Sequence, residues 1–362
     1  MPLVQLIGSA KGISKEIREG WLRLQQTNPA LASPYFSPEF TRIVGAVREG
    51  VEVAVVEDGG NVVAIFPFER SRWDLGGPVG SFVSDYHGVI SHPDFAFDPR
   101  QLLRACGLVA WDFNHIPASQ SCFAPFHREQ HRSPVIDLSA GYDAYVKERR
   151  EAGTEQIKKN RNLMRRLERE VGPLRFVAHS PDKALLNQLL AWKTEQFRHN
   201  RWRDLFSIPW VRKTMEGIHT TQTPEFAGML SLLYAGDQLV AAHFGMRSAT
   251  VWHYWFPSYD PAFSKYSPGV MLLLAMAETA ASMGIKTIDL GCGEHSYKWR
   301  LMNGFVLTAS GSVELIGPAT LARRIWIPVR ELPFKTRSLV GKTPIGALAR
   351  RIRYGASRNC DL

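Results

Sequence analysis

The sequence predicts an α/β chain built of two similar halves, each a mixed, twisted sheet flanked by helices. Three observations support this. Strand-like and helix-like segments follow one another in the same order in both halves. A turn glycine precedes an acid in a late strand by the same interval each time, Gly59 to Asp112 and Gly236 to Asp289. A chain of 362 residues with 45% hydrophobic content can fill two cores, and 22% charged residues do not read as disorder.

In the first half, "PLVQLIG" reads as a strand and "SKEIREGWLRLQQTN" as an amphipathic helix. "SPEFTRIVGAVREG" predicts a second helix, with Ser37 as N-cap and Pro38 in the first turn. The strands "VEVAVV" and "NVVAIFPFE" are joined by "EDGG", a strong hairpin signal. After an irregular Gly/Pro/Asp-rich stretch come a helix near "DPRQLLRACG" and a strand "VAWDFNHI".

The second half repeats this order. "PLRFVAH" is a strand, "SPDKALLNQLLAWKTEQFRHN" a helix begun by Ser180 and Pro181, and "IPWVRKTMEGIHT" another helix. The strands "GMLSLLY" and "LVAAHFGM" flank the turn "AGDQ", and "ATVWHYWF" is a further strand. The helix "SPGVMLLLAMAETAASMG" and the strand "KTIDLG" complete the copy. Between the halves, Tyr142 to Val171 predicts a long charged helix interrupted near Gly153. The boundary is placed near 145, giving domains 1–145 and 146–318 and a basic extension 319–362.

Charge is uneven. The net charge is +10, yet from Leu321 onward ten Lys/Arg face only Glu331 and Asp361, a surplus of eight. The main body is therefore nearly neutral, which argues against a protein built to coat nucleic acid. The extension mixes arginines with Trp326 and Phe334, a composition that suits an anionic membrane surface or a domain-packing segment. The four cysteines are scattered without a CxxC pair, so neither a metal site nor a disulfide framework is expected. No signal-peptide pattern and no membrane-spanning apolar run are read, and a cytoplasmic location is expected.

The stretch "TIDLGCGEHSYKWR" first suggests a nucleoside-binding strand and loop. Such a loop must open a doubly wound sheet, with several strand–helix units after it. Only about 70 residues follow Asp289, much of them the basic extension, and His295 replaces the usual third glycine. The context excludes a class I methyltransferase.

Tyr259-Asp260, Pro268-Gly269, Asp289-Leu290-Gly291, Gly293-Glu294 and Tyr297-Lys298 together resemble a bacterial branch of the GNAT N-acyltransferase superfamily. This is the branch of the cellulose-biosynthesis acetyltransferases, related to Fem-type aminoacyl transferases. The resemblance covers about Lys147 to Pro318, and the N-terminal half is similar only in element order, as a degenerate copy. It implies an acyl-CoA, such as acetyl-CoA, lying in a splay between the strands "VWHYWF" and "KTIDLG", with no metal. Its pyrophosphate would rest at the start of the helix between those strands, implicating Lys265, Tyr266, Ser267, Pro268, Gly269 and Val270. The loop carries one glycine where ordinary members have two or more. Fem-type relatives use aminoacyl-tRNA instead, which stays open as an alternative donor.

The candidate catalytic residues are Glu294, Asp289, Lys298, Tyr297 and His243. Glu294 would take the amine proton, Lys298 bind an anion or polarise a carbonyl, and Tyr297 protonate the leaving thiolate. Each has a plainer alternative. Asp289 can cap the next turn, and Glu294 and Lys298, four apart, can form an ion pair. Tyr297 can pack, and His243 on "VAAHFGM" can be a satisfied core histidine. Trp252, Tyr254 and Phe256 alternate with His253 and Trp255, so one aromatic face could meet an acceptor or pack. Six cations between Lys158 and Arg169 (158, 159, 161, 165, 166, 169) make either a solvated face or a phosphate-recognition face. The expected acceptor is an amine-bearing glycan or lipid-linked sugar. The extension would give peripheral contact at the inner face of the cell membrane. A non-catalytic scaffold in a polysaccharide complex is the non-enzyme alternative.

Overall fold

Strand β1 (Leu3–Ile7) leads into α1 (Lys15–Thr27), whose N-cap Ser14 accepts the Ile17 N–H at 3.3 Å. Helix α2 (Pro38–Val47) begins as the sequence predicts: Ser37 Oγ accepts the Glu39 N–H at 3.1 Å, and Pro38 fills the first turn. The hairpin β2 (Val51–Asp58) to β3 (Asn61–Ser71) turns on Gly59 and Gly60. Both have positive φ, 56° and 80°, which the twist of a tight hairpin requires. Short strands β4 (Leu75–Gly77) and β5 (Ile90–Ser91), helix α3 (Pro99–Ala105) and strands β6 (Ala110–Pro117) and β7 (His127–Asp137) follow.

The expected long charged helix is two helices, α4 (Tyr142–Glu151) and α5 (Gln156–Glu170), divided where Gly153 adopts φ 77°. Strand β8 (Leu174–Val177) and helices α6 (Lys183–His199) and α7 (Pro209–Thr220) come next. Helix α6 starts later than predicted. Asp182 is its N-cap, accepting the Ala184 N–H at 2.7 Å, while the Ser180 N–H donates to Leu230 O. Strands β9 (Ala227–Ala235), β10 (Gln238–Arg247) and β11 (Val251–Tyr259) form a meander. Helix α8 (Pro268–Ser282), strand β12 (Thr287–Asp289), helix α9 (Ser296–Leu301) and strand β13 (Gly304–Glu314) complete the order.

The computed structural model describes residues 3–293 and 295–317. Candidate Glu294 and the extension 319–362 lie outside the described residues. Two units are present, residues 3–28, 44–130 and 308–317 in the first, and Pro29–Ile43 with His131–Leu307 in the second. The chain passes between them just after α1 and then inside α2, β7 and β13. Each unit is built on a mixed sheet with helices against it.

In the first unit the strand order is β1-β2-β3-β4-β6-β13, with β5 also paired to β3. Its core gathers Phe66, Phe68, Trp111, Phe113 and Phe123. In the second unit the order is β7-β12-β11-β10-β9-β8. The β12–β11 pair is parallel and its neighbouring pairs are antiparallel. The apolar face of α8 (Met271, Leu272, Leu274, Met276) and β11 residues Trp252 and Tyr254 belong to its core. Burying such side chains contributes on the order of 1.5–3 kcal/mol each, so this core is what fixes the strand ends around α8.

Candidate active site

Strand β11 is longer than the partner on its parallel side. It pairs with β12 only through Val251–His253, because β12 ends at Asp289, yet it continues to Tyr259. Its other edge is held by β10, with Phe244 opposite Phe256 and Ala241 opposite Tyr259. The stretch 254–259 therefore has no strand on its β12 side among the described residues. This is the splay that the resemblance implies.

A pocket of about 270 Å³ lies at this splay. Helix α6 supplies Lys193 and Gln196, and the free end of β11 supplies Tyr254, Pro257 and Tyr259. The turn before α8 and its first residues supply Ser264, Ser267, Gly269 and Val270. The approach to α9 supplies His295 and Tyr297. Tyr254 Oη donates to Gly269 O at 3.4 Å and so ties β11 to the first turn of α8.

Of the six candidate donor-binding residues, Ser267, Gly269 and Val270 line the pocket. Ser267 does not cap α8 with its side chain, contrary to the sequence expectation. It sits in the left-handed region at φ 56°, ψ 52°, and its carbonyl accepts the Val270 and Met271 N–H groups. Lys265 and Tyr266 do a different job. Glu170, at the end of α5, accepts from Lys265 Nζ at 3.4 Å and from Tyr266 Oη, while Arg166 Nε donates to it at 2.7 Å. These donors hold the Glu170 carboxyl down to about 2, the tyrosine hydroxyl being the largest cause. The cluster pins the turn that carries Ser264 and Ser267. Pro268 is buried and supplies the first helical residue.

The candidate catalytic residues divide similarly. Tyr297 lines the pocket, and burial pushes its phenol up to about 12. Asp289, Lys298 and His243 do not line it. Asp289 is 3% exposed; its Oδ1 accepts the Gly291 N–H at 2.8 Å and the Ser133 hydroxyl at 3.4 Å. The His253 ring lies beside it in the parallel register, Nδ1 3.8 Å from Oδ1. Gly291 and Gly293 both have positive φ, 68° and 125°, so the "GCG" is the turn by which the chain leaves β12. Lys298 Nζ is buried under that turn and donates to Gly291 O at 3.2 Å and Cys292 O at 3.1 Å. Helix α9 is in turn held by α4, as Tyr145 Oη donates to Leu301 O at 2.8 Å.

His243 is fully buried and stacks on Tyr254 at 4.7 Å. Its Nε2 accepts the Trp255 N–H at 3.0 Å, which leaves the ring proton on Nδ1. Burial holds the imidazole neutral, well below its ordinary range. A Cβ on Gly245 would lie 2.2 Å from His253 O and 2.7 Å from the His243 ring. That glycine sits in the bulge between Phe244 and Met246. His243 thus braces the bulge of β10 against β11. On the other face of β11, Tyr35 packs edge-on against His253 and Trp255, at 5.0 and 5.7 Å. The basic residues of α5 are exposed, and Arg166 is tied to Glu170.

Lys193, Gln196 and His295 were not singled out from the sequence. Lys193 Nζ donates to Gln196 Oε1 and Pro257 O, both at 3.0 Å. Burial and then the Lys298 charge bring its ammonium down to about 8. His295, at the pocket mouth, is lowered by partial burial and then by Lys298 and Lys193, and its ring stacks on Tyr297 at 6.0 Å. The signal for Lys193 was present in "LLAWKTEQF", a lone cation amid an apolar helix stripe. Among the described residues no group of three His, Cys, Asp or Glu could hold a metal ion, and no helix is long and apolar enough to cross a membrane.

Residues 155–299 match the family model described as Acetyltransferase (GNAT) domain. A comparison with curated protein sequences finds no match. Among solved structures, FemX is similar at a TM-score of 0.60 and 11% identity, over 85% of this chain and 98% of that one. The C-terminal domain of a putative lysylphosphatidylglycerol synthetase from Agrobacterium fabrum is similar at 0.52 and 14% identity, over 84% of this chain and 95% of that one. At these identities the likeness is one of fold, and it extends over both units.

Proposed function

We propose that the GNAT-type acyltransferase domain of this chain moves an acyl group from a coenzyme A thioester to the amine of an amino sugar or related amine. The product would enter a cell-surface polysaccharide or its lipid-linked precursor. The observation that carries the reading is the open edge of β11 over 254–259, beside the first turn of α8 and closed by Tyr297. An extended arm with amide groups fits a strand edge whose main-chain groups lack a strand partner. The pocket admits the reacting ends of two substrates rather than a whole nucleotide.

The thioester supplies the electrophilic acyl carbon. The amine nitrogen bonds to it, the C–S bond breaks, and one proton must leave nitrogen while one reaches sulfur. Tyr297, which lines the pocket and is still protonated at neutral pH, is proposed to give the second proton. Glu294 is proposed to take the first, and His295, neutral at the mouth, stands next to it in the chain. Lys298 acts as a positioning residue, since its hydrogen bonds shape the Gly291–Gly293 turn that leads to both. We place the reaction in the cytoplasm, with the extension 319–362 as a peripheral contact to the inner face of the membrane.

A second donor, aminoacyl-tRNA, is favoured by one observation. Pro268 has no N–H and Val270 turns its own onto Ser267 O, which leaves fewer donors at α8 for a pyrophosphate. The test is thiol release from acetyl-CoA and longer acyl-CoAs with amino sugars, together with calorimetric titration of coenzyme A. Turnover is expected, and Glu294→Gln and Tyr297→Phe should each lower kcat at least about tenfold. Neither turnover nor binding overturns the reading. Binding of charged tRNA with a steep salt dependence would support the second donor. A cellular role that survives Glu294→Gln and Lys298→Ala would instead mark a scaffold.

A further inference from the structure

Lys193 is a pocket cation that meets no carboxylate among the described residues. It rises from α6 into the wall of the pocket, and burial has lowered its ammonium to about 8. Two of its three N–H donors are spent on neutral oxygens, Gln196 Oε1 and Pro257 O. No carboxylate lines the pocket among the described residues. The other charge that acts on it is Lys298, which repels it. Lys193 is half-buried, so its ammonium has given up part of its hydration, and hydrogen bonds to neutral oxygens return only some of that cost. A methionine or leucine would fill the same space without that cost.

The other described lining residues bring no carboxylate. The phenols of Tyr254 and Tyr297 are held protonated, and His295 carries no charge at neutral pH. The described wall of the pocket therefore presents one ammonium donor not used by Gln196 or Pro257, beside neutral hydroxyls. Gln196 and Pro257 fix the ammonium by two hydrogen bonds, so the third donor direction is set before any ligand arrives.

We propose that Lys193 is an anion-binding residue of this pocket, and that it selects amine substrates bearing a carboxylate or phosphate group. The selection rests on the acyl-transfer reading; the anion site does not. Gln196 is its positioning partner, which holds the ammonium at the pocket wall.

The test uses the full chain and begins without any acyl donor. Inorganic phosphate is titrated calorimetrically into the wild type, Lys193→Met and Lys193→Arg, each first shown to melt cooperatively. Binding by the wild type, weakened at least about tenfold in Lys193→Met and largely kept in Lys193→Arg, is expected. Absence of phosphate binding by the wild type, or equal binding by Lys193→Met, overturns the proposal. Should Lys193→Met fail to fold, Gln196→Ala replaces it and is expected to weaken phosphate binding through loss of the fixed ammonium. Unchanged binding there overturns the proposal.

The source of the anion is decided by turnover with glucosamine 6-phosphate and with glucosamine. A rise in KM for the phosphorylated amine alone in Lys193→Met assigns the anion to the acceptor. A rise confined to the KM of the acyl donor overturns the acceptor assignment. If neither amine reacts, the acyl-transfer reading is what fails, while the phosphate titration still decides the site.

Discussion

Asp289 is the residue for which role and structure are easiest to separate. Its carboxylate satisfies the buried Gly291 N–H and accepts from Ser133, so it shapes the turn out of β12. Asp289→Asn keeps an acceptor oxygen for Gly291, whereas Asp289→Ala leaves that N–H unsatisfied at a cost of about 1–3 kcal/mol. Urea unfolding should thus show a large loss for the alanine variant and little for asparagine, with kcat following stability. A collapse of kcat in Asp289→Asn at unchanged stability would instead make Asp289 a base. The sequence left both roles open, because "TIDLG" says that an acid ends the strand but not what faces it. His243 was equally ambiguous; only the register of β10 on β11 brings the Trp255 N–H to its Nε2.

At the scale of elements, the turn between β11 and α8 is held from outside the pocket. Glu170 binds Lys265 and Tyr266 and stays ionised down to about pH 2, so this tether is insensitive to working pH. Glu170→Ala should release the turn that carries Ser264 and Ser267. The expected result is a KM for the acyl donor raised roughly tenfold, with kcat within about threefold, because ground-state positioning is lost rather than chemistry. Initial-rate kinetics at varied donor concentration check it, and an unchanged donor KM rejects the tether. The motif "SKYSPG" pointed to this segment, yet Lys265 and Tyr266 turn towards α5 rather than into the pocket. Residues adjacent in sequence take opposite faces of a tight turn, and α5 arrives from nearly 100 residues earlier in the chain.

For the molecule as a whole, buried neutral histidines make the fold acid-sensitive. His87 in the first unit is lowered to about 3, by burial and then by His115, and His243 in the second lies well below its ordinary range. Unfolded, both would titrate near about 6.5. At pH 8 neither state binds the proton and no stability difference arises. As pH falls below about 6.5 the unfolded chain takes up protons that the folded chain refuses. Stability then declines by up to about 1.4 kcal/mol per pH unit for each histidine, until the folded value is reached. Urea midpoints measured at pH 8, 6, 5 and 4 should fall steadily below pH 6.5, and His87→Asn should flatten the slope. A midpoint constant from pH 7 to 5 would contradict this account.

Local pattern was enough to determine the order of the principal helices and strands in each half, the "EDGG" hairpin, the break near Gly153 and the late strand carrying Asp289. Alternation, helix period, glycine and proline act over a few residues and leave their mark in the sequence. The same residues were also enough to single out Tyr297 and the Ser267–Val270 segment, both of which reach the pocket. What needed the tertiary structure was everything set by partners distant in the chain. The open edge of β11 exists because β12 stops at Asp289, some 30 residues past the end of β11. The long strands β7 and β13, through which the chain passes between units, carry too many polar residues to be read as strands on their own. Lys193 reaches the pocket wall only because α6 packs on β11, where its ammonium is partly desolvated and, among the described residues, meets no acid. Burial and charge pairing depend on the whole fold, so the chemistry of this site was decided there.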